Sequence, residues 1–249
     1  VNKESNTRAM RNFHNLYVKN KLITKVSNPD DTLIDYAVGK GGDISKWRDA
    51  RLGFVLGVDV SEDNIENKQD GACIRYLENK ERYAGLFRAQ FIVGNATQNY
   101  KMGQGLASEV DKVIYNAIIG KGIRDKRQLG AGIYSQFGVA NDGFNVSSCQ
   151  FALHYFFENT DTLIGFLRNL SENTKKGGYF IGTCFDGQRI FNQLQDYNTN
   201  ESFVIKKDGD VIVEITKKYN DAVLENNSDC LGLPIEVFEE SINKKFTEY

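Results

Sequence analysis

Two short apolar runs, Leu33-Ile34-Asp35-Tyr36-Ala37-Val38 and Phe54-Val55-Leu56-Gly57-Val58-Asp59, are separated only by a glycine-rich turn and one or two helical turns through Trp47. A connection of that kind returns the second run beside the first as a parallel strand, because a helical crossover packs back on the sheet with one hand. Ser61 is placed to cap a further helix running toward Asn79. Ala89-Gln90-Phe91-Ile92-Val93 then reads as a third strand, Phe144 to Cys149 as a fourth and Gly178 to Thr183 as a fifth. Helices are expected at Thr162 to Leu170 and Gln188 to Leu194. This alternation predicts an α/β fold with a mostly parallel central sheet and helices on both faces.

Three stretches lie outside that rhythm. Ala9, Met10, Phe13, Leu16, Tyr17 and Ile23 recur at helical steps and predict an amphipathic helix within residues 1–26. Residues 97–141 form a long insertion, with a helix from Ser108 to Ile119 and a glycine- and charge-rich segment, Gly120 to Arg127, expected as a mobile surface loop. Asp208-Gly209 between Phe203–Lys207 and Val211–Thr216 signals an antiparallel hairpin opening the C-terminal region, residues 203–249. The expected organisation is a single domain over residues 1–249.

Composition narrows the classes. The chain has 249 residues with 31 basic and 33 acidic side chains, a net charge of -2, which argues against coating nucleic acid by bulk electrostatics. No apolar run reaches membrane-spanning length and no secretory h-region opens the chain. Cys73, Cys149, Cys184 and Cys230 are scattered without a CxxC pair, and His14 and His154 are the only histidines. Reduced intracellular thiols are therefore expected, and no metal. His154 and Glu158 have the spacing of helical metal ligands, but no third ligand falls in a recognisable pattern.

The chemistry-bearing residues begin at the end of the first strand, Asp35-Tyr36-Ala37-Val38-Gly39-Lys40-Gly41-Gly42-Asp43, and at Asp59, which closes the second. A glycine turn lets a ligand approach the backbone, and an acid ending the next strand can accept from ribose hydroxyls. Neither GxGxxG nor the phosphate-binding GxxxxGK[ST] is present. An acid ahead of the glycine turn suits a cofactor carrying an amino group, which points to S-adenosylmethionine. A carboxylate inside an apolar strand also needs a partner, and Lys19, Lys40 or a bound amino group could supply one to Asp35. Phe151, Leu153 and Phe156 read as core from their apolar neighbours.

Four segments occurring in order, Arg11-Asn12-Phe13-His14-Asn15, Gly39 to Asp43, Ser148-Cys149-Gln150-Phe151-Ala152-Leu153-His154-Tyr155 and Gly177 to Thr183, resemble the messenger-RNA cap guanine-N7 methyltransferases. The spelling is most similar to the methyltransferase domain of the multifunctional capping enzymes of large DNA viruses. The resemblance implies a class I, Rossmann-like, S-adenosylmethionine-dependent methyltransferase that forms S-adenosylhomocysteine. It assigns Lys19, Asp35, Gly39, Asp59, Asn95 and Gln150 to the cofactor. To the cap it assigns Asn15, Lys40, Arg75, His154, Tyr155 and Glu248, the last within Phe246-Thr247-Glu248-Tyr249. This chain departs from the family at Asn95, where Asp is usual and Asn would accept from the adenine amino group through its carbonyl, and at Ala37, where Gly is usual. Aligning Arg75 requires an insertion around Asn67 to Gly71. The implied partner is the capped 5′ end of RNA, with guanylyltransferase and triphosphatase domains in the same polypeptide, of which this chain would be a fragment. The implied location is intracellular: host cytoplasm or virion for a viral enzyme, nucleus for a cellular one. Guanine N7 carries a lone pair and no proton, so no general base is expected. Two other functions share parts of this pattern, a methyltransferase for a small molecule or another RNA position and a catalytically silent RNA-binding or scaffold domain. Glu248 as a frayed, solvated terminal residue is the alternative to its reading guanine.

Overall fold

The computed structural model describes residues 6–220, 230–240 and 242–249. They divide into two compact units: Asn20–Gln150 with Ile164–Gly182, and Val1–Lys19 with Phe151–Leu163 and Thr183–Tyr249.

The first unit is built on a five-stranded sheet ordered β3-β2-β1-β4-β5, with β1 Thr32–Asp35, β2 Phe54–Asp59, β3 Arg88–Val93, β4 Phe144–Gln150 and β5 Thr174–Thr183. β1 is parallel to β2 and β4, and β2 is parallel to β3. Every residue of β1 and β2 is buried, as expected of central parallel strands covered on both faces. Leu33, Ile34, Phe54, Val55, Leu56, Ile92 and Val146 form the centre of this packing, and burial of each large apolar side chain contributes about 1.5–3 kcal/mol. The strand order reverses between β1 and its two neighbours, so the crevice at the carboxyl ends of the strands is the natural ligand position.

Several sequence expectations change here. The helix expected from Ser61 toward Asn79 is two helices, Glu62–Glu66 and Ala72–Arg82. Asn67 turns the chain between them, its side-chain oxygen accepting from the Gln69 and Asp70 amides. Ser61 does cap the first of them, accepting from the Asn64 amide. In the 97–141 insertion, Glu109–Ile118 is helical behind a Ser108–Asp111 capping box. The segment expected as a mobile loop runs into another helix, Lys126–Tyr134, started by Asp125 and kinked at Gly130. Glycines 130 and 132 hide that helix from periodicity.

The insertion begins on a fixed footing. Asn169, wholly buried on helix Thr160–Asn173, donates to the carbonyls of Ala96 and Gln98 and accepts from the Tyr100 amide. Gly165 on the same helix lets Thr97 approach so closely that a Cβ there would fall 1.8 Å from the Thr97 carbonyl oxygen.

The second unit holds a four-stranded antiparallel sheet, β6 Ser202–Lys207, β7 Asp210–Lys217, β8 Ile235–Glu239 and β9 Lys244–Glu248. The expected hairpin is its first half. Asp208 and Gly209 both take positive φ, 54° and 92°, the conformation a two-residue turn between twisted strands requires. A small core of Phe191, Leu194, Ile215, Tyr219, Ile235 and Val237 backs the sheet. The N-terminal segment of this unit is helical at Arg8–Asn12 and then widens into a π-helical turn, Phe13–Val18.

Candidate functional site

In the parallel-sheet unit, Asp35, Gly39, Asp59, Asn95 and Gln150 of the predicted cofactor residues lie at or just after the carboxyl ends of the strands, while Lys19 belongs to the other unit. Asp35 ends β1, is 1% exposed, and accepts from the Ala37 amide at 3.1 Å. Lys40, one partner proposed for it, is engaged elsewhere: its ammonium lies 2.6 Å from Asp70 and 3.1 Å from Asp63. Those bonds, to Asp70 first, raise its pKa. Asp59 ends β2 as an organiser of the rim. One oxygen accepts from the Gly39 amide at 2.8 Å, the other from the Ser61 amide and the Asn64 side chain. A carboxylate offers about four acceptor positions, so about one remains for a ribose hydroxyl until Asn64 lets go. Gly39 sits at φ 53°, a left-handed turn that suits glycine. Ala37 is not among the residues at positive φ, so alanine there carries no backbone strain.

Asn95 follows β3, and its side chain is engaged in a local turn. Its side-chain oxygen accepts from the Thr97 amide at 3.0 Å and the Thr97 hydroxyl at 2.8 Å. Both lone pairs are used in a local turn, so the side chain offers a ligand its NH2 and not its carbonyl. Gln150, buried at the end of β4, donates to Ser148. Arg75 lies in the first turn of helix Ala72–Arg82, after the Asn67–Gly71 turn.

In the antiparallel-sheet unit, Asn15, His154, Tyr155 and Glu248 line one cavity of about 430 Å³, together with Arg11, His14, Phe151, Phe185, Glu239 and Phe246. A larger concavity of about 690 Å³ beside Arg189, Asn192 and Tyr197 is lined by none of the predicted residues. Glu248 lies in β9 opposite Ile235 of β8 and is 8% exposed, so it is not frayed. His154 is 6% exposed on a short 3-10 turn, Leu153–Phe157, against the ring of Tyr155 with centroids 4.4 Å apart.

Neither ring nitrogen of His154 nor Oε2 of Glu248 meets a hydrogen-bond partner among the described residues. Burial pushes His154 down to about 4. Burial, with added repulsion from Glu239, pushes Glu248 up to about 7. Between those values both groups are neutral, so their 3.5 Å approach is not an ion pair. Burial, and then the charge on Glu248, raises Tyr155 to about 12, which keeps its hydroxyl protonated.

Phe151 was expected in the core and is not: it is 39% exposed and lines the cavity. Among the described residues no cluster of His, Cys, Asp and Glu could hold a metal ion, and all four cysteines are free thiols. No helix among them is long and apolar enough to cross a membrane. Residues that sequence reasoning left out are His14, Glu239, Asn169 and Phe185. The alternation of Ile235 and Val237 was the signal for β8 and hence for Glu239, and the Asn169-to-Asn173 step on one helix face was a signal for the buried tie.

A parallel sheet in the order β3-β2-β1-β4-β5, with acids closing β1 and β2 around a glycine turn, defines a class I S-adenosylmethionine-dependent methyltransferase fold. Residues 2–208 match the mRNA (guanine-N(7))-methyltransferase domain, and the chain belongs to that family. It is 25% identical over 245 residues to a probable mRNA-capping enzyme of Acanthamoeba polyphaga mimivirus, covering 98% of this chain and 19% of that protein. It is 30% identical over 197 residues to the mRNA cap guanine-N(7) methyltransferase of Caenorhabditis elegans, covering 76% of this chain and 42% of the relative. The chain thus spans less than half the length of these relatives. Among solved structures it is similar to the CcbJ methyltransferase of Streptomyces caelestis, with a TM-score of 0.50 and 15% identity, over 92% of this chain and 68% of that one. That likeness bears on the fold alone.

Proposed function

We propose that the chain transfers a methyl group from S-adenosylmethionine to N7 of the terminal guanosine of GpppN-RNA, releasing S-adenosylhomocysteine. The observation that carries this reading is the pair His154 and Glu248, two nearly buried polar side chains in a cavity wall whose nitrogens and one oxygen have no hydrogen-bond partner among the described residues. Buried polar groups without partners cost about 1–3 kcal/mol each, so a ligand that pairs them offsets that cost. A guanine edge offers the complement of a carboxylate, N1-H and the N2 amine.

The cofactor supplies an electrophilic methyl on a sulfonium. Lys19 and Asp35 hold its methionine end, Asp59 the ribose, the Gly39 turn its close backbone approach, and Asn95 and Gln150 the adenine side. Asn15, His154, Tyr155 and Glu248 hold the base, while Lys40 and Arg75 neutralise the triphosphate bridge. For Lys40 this means exchanging Asp63 and Asp70 for phosphate, one set of anions for another.

No residue removes a proton, because N7 has none. The contribution of the chain is orientation, worth up to about 7–11 kcal/mol when the attacking and departing atoms are held in line. Ionised Glu248 adds a differential effect, since the guanine becomes cationic as the methyl transfers. Were the chain part of a multifunctional polypeptide, guanylyltransferase and triphosphatase domains would deliver the GpppN end.

The test is transfer of labelled methyl to GpppN- and ApppN-capped RNA, with the labelled position resolved by nuclease digestion. Label confined to N7 of the guanosine cap is expected. Equal labelling of both caps, or label on a ribose oxygen, overturns the proposal.

A further inference from the structure

Phe151 takes φ 57°, the only aromatic residue among the described non-glycine positions with positive φ. A bulky side chain is rarely found there, and such strain persists where surrounding contacts impose it, often at ligand clamps. The contacts here are specific. The Phe151 amide donates at 2.9 Å to both the carbonyl oxygen and the hydroxyl of Thr183, which fixes the backbone. The ring does not leave for a core. It stands 5.2 Å from the Lys19 ammonium, beneath it as a cation–π partner, and takes the edge of His14 at 5.2 Å and 88°.

From this geometry we infer that Phe151 is a positioning residue for Lys19, restraining its ammonium before the methionine carboxylate of the cofactor arrives. The inference rests on the reading of Lys19 as a cofactor residue. Lysine is among the side chains that lose most rotamer freedom when ordered, so a post that limits its excursions in the free protein reduces the entropy still to be lost on binding. It is from this left-handed backbone, held by Thr183, that residue 151 presents its ring to Lys19. Phe151 thus acts through Lys19 and needs no contact with the reacting atoms.

Calorimetric titration of the chain with S-adenosylhomocysteine tests this. Phe151→Leu keeps apolar bulk and removes the ring face, and should raise Kd about three- to tenfold, the range of a cation–π contact. Phe151→Tyr should restore affinity. Phe151→Gly accepts the left-handed backbone without strain, so it should hold its Tm and still lose the same affinity. In a Lys19→Ala background, Phe151→Leu should add nothing. If Lys19→Ala leaves Kd unchanged, the reading of Lys19 fails and the inference falls with it. If Lys19→Ala weakens binding while Phe151→Leu does not, or if the two losses add in the double variant, the role of Phe151 alone is overturned.

Discussion

The two units treat their polar side chains in opposite ways. At the rim of the parallel sheet, Asp59 accepts three bonds from the protein and Asn95 two, so these groups shape the backbone that a ligand meets. In the antiparallel unit, His154 and Glu248 are as deeply buried as Asp59 but have atoms without a hydrogen-bond partner among the described residues. The first arrangement contributes to stability and is ready-made. The second costs stability until a ligand supplies what is missing. Polar residues of the first kind therefore serve folding and binding together, and those of the second kind trade one against the other.

The largest effect expected from this contrast is at Glu248. Glu248→Gln keeps the shape, replaces one acceptor oxygen with a donor and removes the charge opposing the developing cation. Its kcat/KM on capped RNA should fall by about 2–4 kcal/mol, while S-adenosylhomocysteine affinity stays within a few tenths. Stability should move the other way. A carboxyl whose folded pKa is raised, from 4.5 to about 7, makes the fold less stable as pH rises between those values, with the cost complete above about 7. Gln removes that cost, so thermal unfolding at pH 8 should occur at or above the wild-type Tm. A lower Tm with unchanged kinetics breaks the contrast.

Asp59→Ala comes next. S-adenosylhomocysteine binding should weaken by about 1.5–3 kcal/mol, and here Tm should fall as well, because the Gly39 and Ser61 amides and the Asn64 side chain lose their acceptor. Titration and thermal melting of one sample decide both; lost affinity at full stability would mean that Asp59 belongs with the unpartnered kind.

Much of the first unit was legible because burial on both sheet faces writes strands as continuous apolar runs, as in Leu33 to Val38 and Phe54 to Asp59. What periodicity cannot carry is where a side chain spends its hydrogen bonds. Asn95 is visible as a residue, but its commitment to Thr97 depends on a turn two residues wide. Phe151 sits in an apolar string and reads as core, since a left-handed backbone leaves no mark in composition. Asn67 ends a helix that its neighbours would continue. In the second unit the Asp208-Gly209 hairpin was legible, whereas the short connection from Glu239 to Lys244 carries no Asn-Gly or Asp-Gly pair to announce β8 and β9. Glu239 reaches the cavity through β8, and His14 through the π-helical turn of the N-terminal segment.

A smaller effect separates the units by pH. Glu248 must be ionised to accept from both N1-H and the amine, so kcat/KM for capped RNA should rise as pH passes through about 7 and then level, by at most tenfold per unit. His154, lowered to about 4, stays neutral over that range and adds no inflection. Glu239, which faces Glu248, shifts the midpoint upward while it is charged. The inflection should vanish in Glu248→Gln, while S-adenosylhomocysteine affinity stays flat across it. An inflection in both assays places the titrating group elsewhere.

The smallest is Asn95→Asp. A carboxylate keeps both Thr97 bonds and still has a free acceptor oxygen for an adenine amino group, so S-adenosylhomocysteine should bind tighter by about 0.5–1 kcal/mol by titration. Weaker binding would show that the Asn95 NH2 is the group in use.

The π-helical turn at Phe13–Val18 makes the cavity wall a matter of residue count as well as residue identity. A π turn holds more residues per turn than an α turn. Removing one residue within it would let the segment rewind as α with its flanks close to their present angle, whereas adding one would turn everything on the N-terminal side by about 100° relative to Lys19. Met10, Arg11 and His14 would then leave the wall they form, with every side chain of the wall still present in the sequence. Relatives that conserve each letter of this segment but carry one more residue would present a different surface, whereas substitutions at its exposed positions would leave the wall where it is. In this stretch a single-residue insertion is the more drastic mutation.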